Sequence, residues 1–417
     1  MKKEQTDRIL GYKCVGCSKE YPVKPFIYQC PECKSNLDVQ YNYELIKEIW
    51  SVDDLKHFPY QSLWRYHPLL PVENPPQNLS LQSGGTPLLS FPNLLTEIGK
   101  INLYIKDDTR NPSGSLKDRA TEVGIRHADE LGKHIIVAAS TGNAAASLAS
   151  LAAFYEKEAI ILAPASAPPA KLTQILQYGA VLYPVNGTYD DAFDLSMLVA
   201  EANNWYSRST GINPVLAEGK KTVGLEIAEQ LNWQVPNKIF VPTGDGCILA
   251  GVYKAFLDLV RLGWISKLPQ LIAVQAEGSP AIVNALESNK PIVPVKSKTV
   301  ADSISVDLPR DGQKAIIAVK KSKGFGITVS DDEILVAQHR LSKNTGIFAE
   351  PAAAASFAGF LKAMKIGKIR AGESIVILAS GTGLKDIPAA QKQIEIPKAQ
   401  PVSLEDFLTF YNKSKKK

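Results

Sequence analysis

The sequence holds little cysteine, histidine or methionine: 5 Cys, 5 His and 3 Met in 417 residues. The histidines, His57, His67, His127, His134 and His339, fall in no HExxH or other ligand spacing, which argues against histidine-centred zinc hydrolysis. No apolar run reaches the roughly 18 residues of a membrane helix. The longest stretches, such as Ala144 to Tyr155, are interrupted by serines, so no membrane partner is expected. The start, Met1 to Gly11, is polar and lacks an apolar signal core, which points to a cytoplasmic location. Charge of one sign is also scarce, since 47 Lys and Arg against 42 Asp and Glu leave +5. Part of that excess is the tail Lys413, Lys415, Lys416 and Lys417, which reads as a solvated end, so nucleic acid is not an expected partner. Neither a Walker A motif nor the dinucleotide GxGxxG spacing is present. What is there is ordinary for a globular chain: 45% hydrophobic and 21% charged residues exclude wholesale disorder. At roughly 150 residues per domain the length implies two or three domains, with cores that need no disulfide staples.

The few cysteines are concentrated. Cys14 and Cys17 form one Cys-x2-Cys pair and Cys30 and Cys33 another. Two such knuckles present four thiolates to one tetrahedral ion, the pattern of a structural zinc ribbon, here over Tyr12 to Val39. Two disulfides are the rival, disfavoured without an export signal. A four-thiolate site is coordinatively closed, so its ion folds the module and does no chemistry.

After the ribbon, Tyr43 to Trp50 reads as a short helix and Pro59 to Pro76 as an irregular, proline-rich arm. Its Trp64, Tyr66, Leu69 and Leu70 suit an arm laid over another domain. From Leu103 onward β-branched runs alternate with helical periods. Strands are expected at Leu103–Lys106, Ile135–Ala138, Ile160–Leu162, Val181–Val185, Ile239–Val241, Leu271–Gln275 and Ile375–Leu378. Helices are expected at Leu116–Leu131, Gly142–Phe154, Asp190–Ala202, Lys221–Leu231 and Leu249–Leu262. That alternation predicts an α/β fold with parallel sheets covered on both faces.

In such sheets ligands sit beyond the carboxyl ends of the strands. Four strand exits are rich in Gly, Ser, Thr and Asn: Asn111 to Arg119, Ser140 to Asn143, Thr243 to Cys247 and Ser380 to Gly383. Together they suggest a small anionic ligand held by backbone N–H groups. The Gly244–Gly246 loop is the best phosphate cradle, because it opens a helix whose N–H groups and dipole face an anion; a tight strand-to-helix turn is the other reading. Lys117 lies near a helix start that Ser115 and Asp118 are expected to cap reciprocally. An ammonium beside a positive helix end is disfavoured, which frees its amine for Schiff-base chemistry; taken alone, a surface lysine is the alternative.

The combination of Gly84–Leu88, Lys106–Asp108, Asn111–Arg119, Ser140–Asn143, Gly346–Ala352 and Ser380–Asp386 resembles fold-type II pyridoxal-phosphate enzymes, and among them the threonine synthase family with its N-terminal ribbon. The resemblance runs from residue 11 to about 390. It implies a tryptophan-synthase-β-like, two-domain parallel-sheet lyase with pyridoxal 5'-phosphate as cofactor, a small amino acid as substrate, and a homodimer. The implied layout is a zinc ribbon at 11–40, a connecting arm at 41–82, a large cofactor-binding domain at 83–130 and 211–395, a small mobile domain at 131–210 and a tail at 396–417. Lys117 matches the lysine that binds the cofactor and later moves protons. Asn143 matches the residue bonding the cofactor's phenolic oxygen, and Ser380 the hydroxyl near its pyridine nitrogen. Gly244, Asp245, Gly246, Cys247 and Ile248 match the phosphate loop, while Ser140 and Thr141 match the carboxylate-binding turn.

The resemblance breaks at one place. The family's second anion site, for the leaving phosphate, uses a Thr, an Arg and an Asn where this chain has Ala144, Leu216 and Asp245. The segment from Ser303 to Arg310 also departs from the family pattern, and Thr382 stands where His is usual. A carboxylate facing a phosphate in a water-poor pocket is costly unless paired; Asp245 bonding the loop backbone, or Lys171 or Arg310 supplying charge, would relieve it. Threonine synthase is the first reading. A paralogue is the second, either a β-replacement enzyme such as cysteate synthase or a serine, threonine or diaminopropionate ammonia-lyase. A non-catalytic scaffold whose ribbon binds protein is the third.

Overall fold

The computed structural model describes residues 6–414 except 25, 59–60, 77–80, 92–93, 95–100 and 168. Pro59 at the head of the arm and Lys415 to Lys417 of the tail therefore lie outside the described residues.

The N-terminal module is a three-stranded antiparallel sheet of β1 (Ile9–Cys14), β2 (Glu20–Tyr21) and β3 (Leu37–Tyr41), in the order β2-β1-β3. Each cysteine pair is followed by a residue in the left-handed region, Ser18 at φ 62 and Lys34 at φ 60, which folds each knuckle back on itself. Beyond β3, α1 (Tyr43–Ile49) starts on Asn42, whose side chain accepts from the Leu45 N–H at 3.2 Å. After α2 (Val52–Lys56), the arm buries Leu63, Trp64, Leu70 and Val72 against Val123 and Val215, and the Trp64 indole donates to Glu122 at 2.6 Å.

Two parallel sheets follow. The larger contains β4 (Leu88–Ser90), β5 (Asn102–Asp107), β10 (Lys238–Pro242), β11 (Gln270–Ala276), β12 (Phe325–Val329) and β13 (Ser374–Ala379), in the order β12-β11-β10-β13-β5-β4. Only β4 runs antiparallel. The smaller contains β6 (Ile135–Ala139), β7 (Glu158–Pro164), β8 (Val181–Val185) and β9 (Tyr206–Ser207), in the order β8-β7-β6-β9. Because strand side chains alternate faces, β10 serves two cores. Ile239 and Val241 join Leu271, Val376 and Leu378 on one side, and Phe240 joins Ile272, Val274 and Ile377 on the other. Burial on both faces is why these strands read as continuous apolar runs.

The helices between strands are α3 (Lys117–Glu130), α4 (Asn143–Phe154), α5 (Pro169–Gln177), α6 (Tyr189–Ala202), α7 (Pro214–Gln230), α8 (Cys247–Leu262), α9 (Ala281–Ser288), α10 (Gly312–Lys321), α11 (Asp331–Thr345), α12 (Pro351–Lys365) and α13 (Ile387–Gln391). Helix α7 begins seven residues before the predicted Lys221. Asn213 caps it by accepting from Val215 N–H at 3.0 Å, with Pro214 in the first turn. Gly219, which interrupts the apolar period, is there for contact: a Cβ would stand 2.3 Å from the Arg119 carbonyl oxygen in α3. The expected cap of α3 also differs. Asp118 accepts from Ser113 N–H at 2.7 Å and Ser113 Oγ at 2.5 Å, while the Ser115 hydroxyl is buried without a partner. The tail is not wholly extended, since Leu404–Ser414 forms an exposed helix, α14.

A buried ion network fixes the start of α3. Arg119 binds Asp108 at 2.7 and 2.9 Å and Glu226 at 2.6 and 2.7 Å. Lys106 binds the same Glu226 at 2.6 Å and the Thr86 carbonyl at 2.6 Å. Burial pushes Glu226 up, but the two cations outweigh it and bring its carboxyl down to about 2. Three elements, β5, α3 and α7, are thereby locked two residues from Lys117.

Candidate active site

A cavity of about 540 Å³ opens where the carboxyl ends of the two parallel sheets meet. Of the residues expected from the sequence, it brings together Lys117, Ser140, Thr141, Asn143, Ala144, Gly244, Asp245, Gly246, Cys247, Ile248 and Ser380. Leu216 is the exception. It is fully buried in α7, with Cδ2 2.3 Å from where a Cβ on Gly124 would stand, and it is absent from the cavity wall. The helix turns this position toward α3, so it cannot touch a ligand there.

Lys117 is the first residue of α3, and burial pushes its ammonium below the ordinary value, against the opposing pull of Glu350, Cys247 and Asp245. Across the cavity, the Asn143 amide donates to both oxygens of Glu350, at 2.8 and 2.9 Å, and to Ser303 Oγ at 3.3 Å. Its Oδ1 is buried and has no hydrogen-bond partner among the described residues. Burial raises the Glu350 carboxyl above its ordinary value, against the opposing pull of Asn143, Lys385 and Lys117. Turned by 180°, the amide would offer an N–H where this oxygen stands. A Cβ on Gly381 would stand 2.5 Å from Glu350 Oε1, so only glycine lets the Ser380 loop approach this pair.

The cradle at the head of α8 is equally constrained. Gly246 has φ +93, and a Cβ there would lie 2.7 Å from Ala315 Cβ and 3.0 Å from the Asp311 carbonyl. The first turn of any helix leaves N–H groups without intrahelical acceptors, and at α8 these belong to residues that line the cavity. Asp245 bonds backbone: its Oδ1 accepts from Arg310 N–H at 3.1 Å and its carbonyl from Asp311 N–H at 3.1 Å. Arg310 is itself engaged with Asp190 at 2.9 Å, and Lys171 with Asp302 at 2.7 Å, so neither is a free positive charge.

An orphaned amide oxygen, a lysine held below its ordinary pKa and a glycine cradle at a helix start fit a phosphorylated pyridine aldehyde. Residues 79–381 match the sequence model of a family described as pyridoxal-phosphate dependent enzyme. The chain belongs to that family. Its relatives include the threonine synthase of Methanocaldococcus jannaschii, 40% identical over 92% of this chain and 95% of that protein. The threonine synthase of Methanosarcina acetivorans is also 40% identical, over 90% of this chain and 92% of the relative. Among solved structures, the processed threonine deaminase isoform 2 of Solanum lycopersicum superposes with a TM-score of 0.64 at 23% identity, over 74% of this chain and 81% of that one. The fold is therefore fold-type II, and pyridoxal phosphate is the cofactor of this enzyme.

The wall also holds residues the sequence did not single out. Glu350 belongs to the Gly346–Ala352 motif but has no role assigned there, and only the fold sets it against Asn143. Arg208 and Lys220 carry no motif at all. The ribbon sulfurs lie within 4.8 Å of one another, with Cys14 and Cys33 at 3.3 Å and Cys17 and Cys30 at 3.6 Å, and all four thiols are free. A tetrahedral ion with Zn–S of about 2.3 Å sets S···S near ~3.8 Å, so the cluster is of a size to hold one.

Proposed function

We propose that this chain is a threonine synthase, converting O-phosphohomoserine and water to threonine and phosphate. The observation that carries the reading is the assembly of Lys117, Asn143, Ser380 and the α8 cradle around one cavity, in a chain 40% identical over nearly its full length to enzymes of that name.

Lys117 would hold the cofactor, the α8 N–H groups its phosphate, Asn143 its ring oxygen and Ser380 its ring nitrogen. Bound there, the cofactor supplies an electron sink for the charge left when a proton leaves Cα. Lys117 is the base for that proton, and burial favours the neutral amine the task requires. A hydroxyl at Ser380 accepts or donates without fixing a charge on the ring, which suits elimination and replacement. The turn from Ser140 to Asn143 opens α4, and its N–H groups and the Ser140 hydroxyl hold the substrate carboxylate. Residues 131–210 act as a small domain that closes over the substrate and excludes water. A structural zinc in the four-cysteine ribbon, a homodimer and a cytoplasmic location complete the reading.

A second reading, a paralogue with another amino-acid substrate, is favoured by Ala144 and Asp245 in the cavity wall, which replace a hydroxyl and an amide by a methyl and a carboxylate. Turnover of O-phosphohomoserine against serine, threonine, O-phosphoserine and diaminopropionate decides between them. Threonine synthase requires kcat/KM highest for O-phosphohomoserine, and a higher value for any of the others makes the chain a paralogue.

A further inference from the structure

Besides Lys117, two cations in the cavity wall, Lys220 and Arg208, make no ion pair among the described residues. Lys220 of α7 is 2% exposed and lines the cavity, and its ammonium makes no hydrogen bond or ion pair with a described residue. Its Cβ lies 3.1 Å from where a Cβ on Gly251 would stand, one turn into α8. Arg208 is 3% exposed. Its hydrogen bonds go to neutral groups: Thr121 Oγ1 at 3.0 and 2.9 Å, Thr210 Oγ1 at 3.0 Å and the Lys117 carbonyl at 3.3 Å. Of the groups facing it, Asp118, Cys247 and Tyr189, the Asp118 carboxylate is bonded by Ser113 N–H and Oγ.

The charged and titratable groups facing Lys220 do not neutralise it. They are Cys247 on α8, Lys117 on α3, Arg208 beyond β9 and Asp311 ahead of α10. Burial pushes the Cys247 thiol up to about 12, leaving it uncharged at neutral pH. Asp311 is pushed up to about 6 and is already bonded by Asn36 at 2.6 Å. The cavity's other carboxylates are taken: Asp190 by Arg310, Asp245 by the Arg310 N–H, Asp302 by Lys171, Asp307 by Ser297 and Glu350 by Asn143. Buried charges persist only when paired, and the same cavity wall holds Gly246, Cys247 and Ile248 at the head of α8, whose N–H groups have no intrahelical acceptor.

We propose that Lys220 and Arg208 form, with the first turn of α8, a site for a phosphate dianion, their two positive charges matching its two negative ones. This goes beyond a cradle of backbone N–H groups, because it assigns side-chain cations on α7 and after β9 to phosphate recognition. Two phosphates reach this cavity under the reading above, the cofactor's and the substrate's, and the chemistry is shared. Lys220 packs against Gly251, one turn along α8 from the cradle, which favours the cofactor's.

The test uses the full chain freed of cofactor, as wild type, Lys220→Gln and Lys220→Arg, with thermal melts to establish folding. Binding is measured for pyridoxal phosphate and for pyridoxal, which lacks the phosphate. If the site takes the cofactor, Lys220→Gln weakens pyridoxal phosphate roughly ten- to hundredfold and leaves pyridoxal unchanged, while Lys220→Arg keeps both. The phosphate-dependent part of wild-type binding then declines above about pH 8, where burial places the Lys220 ammonium, and Lys220→Arg removes that decline. If the site takes the substrate's phosphate, cofactor affinity is unchanged and inorganic phosphate binds the Lys220→Gln holoenzyme roughly tenfold or more weakly than wild type. The proposal is overturned if folded Lys220→Gln changes neither, or, should that variant not fold, if wild type and Lys220→Arg share one pH profile. Failure of O-phosphohomoserine as substrate would overturn the threonine synthase reading and leave the pyridoxal comparison standing.

Discussion

Gly246→Ala is the sharpest perturbation of the cofactor cradle. An alanine at φ +93 costs about 1–2 kcal/mol of backbone strain. Its Cβ would also lie 2.7 Å from Ala315 Cβ, where ordinary contact begins at 3.4 Å, and relieving that overlap costs about 1–3 kcal/mol. The sum is about 2–5 kcal/mol, and the shift must come from the loop or from α10. If the loop moves, it withdraws N–H groups that would bond a charged phosphate, each contributing about 1.5–3 kcal/mol. Gly263→Ala is the internal control, at the other end of the same helix. It has φ +77 and nothing within 4 Å of the new Cβ, so it carries only the backbone cost. Urea unfolding of the cofactor-free chain measures the first quantity and absorbance titration with pyridoxal phosphate the second. Gly246→Ala is expected to lose about 2–5 kcal/mol of stability and to bind cofactor roughly tenfold or more weakly, while Gly263→Ala loses about 1–2 kcal/mol and binds normally. Equal stability losses with equal, wild-type cofactor affinity would refute the cradle.

Arg119→Met leaves Asp108 and Glu226 buried without their shared partner and is expected to destabilise the chain by about 3–5 kcal/mol in urea unfolding; a loss below ~1 kcal/mol would mean the network is not what holds α3. Glu226 is depressed to about 2 in the folded chain, so its contribution is present above the unfolded carboxyl range and is lost as pH falls from roughly 4.5 toward 2. Stability measured across that window is expected to fall with pH in the wild type and less steeply in Glu226→Gln, and parallel slopes would contradict the assignment. The ribbon touches the loop ahead of α10 and strand β9 of the smaller sheet. Asn36 donates to the Arg310 carbonyl at 2.9 Å and Tyr28 accepts from Ser207 N–H at 2.8 Å, so stripping zinc with a chelator is expected to release one ion per chain and lower Tm by several degrees. No zinc by elemental analysis, with Tm unmoved by the chelator, would make the cluster a plain thiol site.

Features fixed by local chemistry were legible in the sequence. Strands β5, β10, β11 and β13 of the large sheet read from their apolar runs because both faces are buried, whereas β4 and β12 fall outside the expected strands. The loops at 140–143, 244–248 and 380–383 read from their Gly, Ser, Thr and Asn at strand exits. Helix α11 had a signal that went unread: Ser330 and Glu333 form a capping box, with Ser330 Oγ accepting from Glu333 N–H at 3.1 Å. Helix α12 had only its Pro351 start as a signal, since alanine on nearly every face gives no 3.6-residue period. The site residues that escaped depend on which neighbour a helix face meets. Leu216 and Lys220 lie four apart on α7, yet the first packs on Gly124 of α3 and the second against Gly251 of α8. Sequence order alone does not say which helix lies on which side. Asp245, read as a misfit for a phosphate, bonds the Arg310 N–H instead, a contact made across 65 residues.

The account turns on where water enters the product. A single turnover of the holoenzyme with O-phosphohomoserine in ¹⁸O-labelled water tests it directly, with threonine and phosphate analysed by mass. Elimination of phosphate by C–O cleavage followed by addition of water at Cβ predicts one labelled oxygen in the threonine hydroxyl and none in the phosphate. Labelled phosphate with homoserine, or no turnover of this substrate at all, would contradict it.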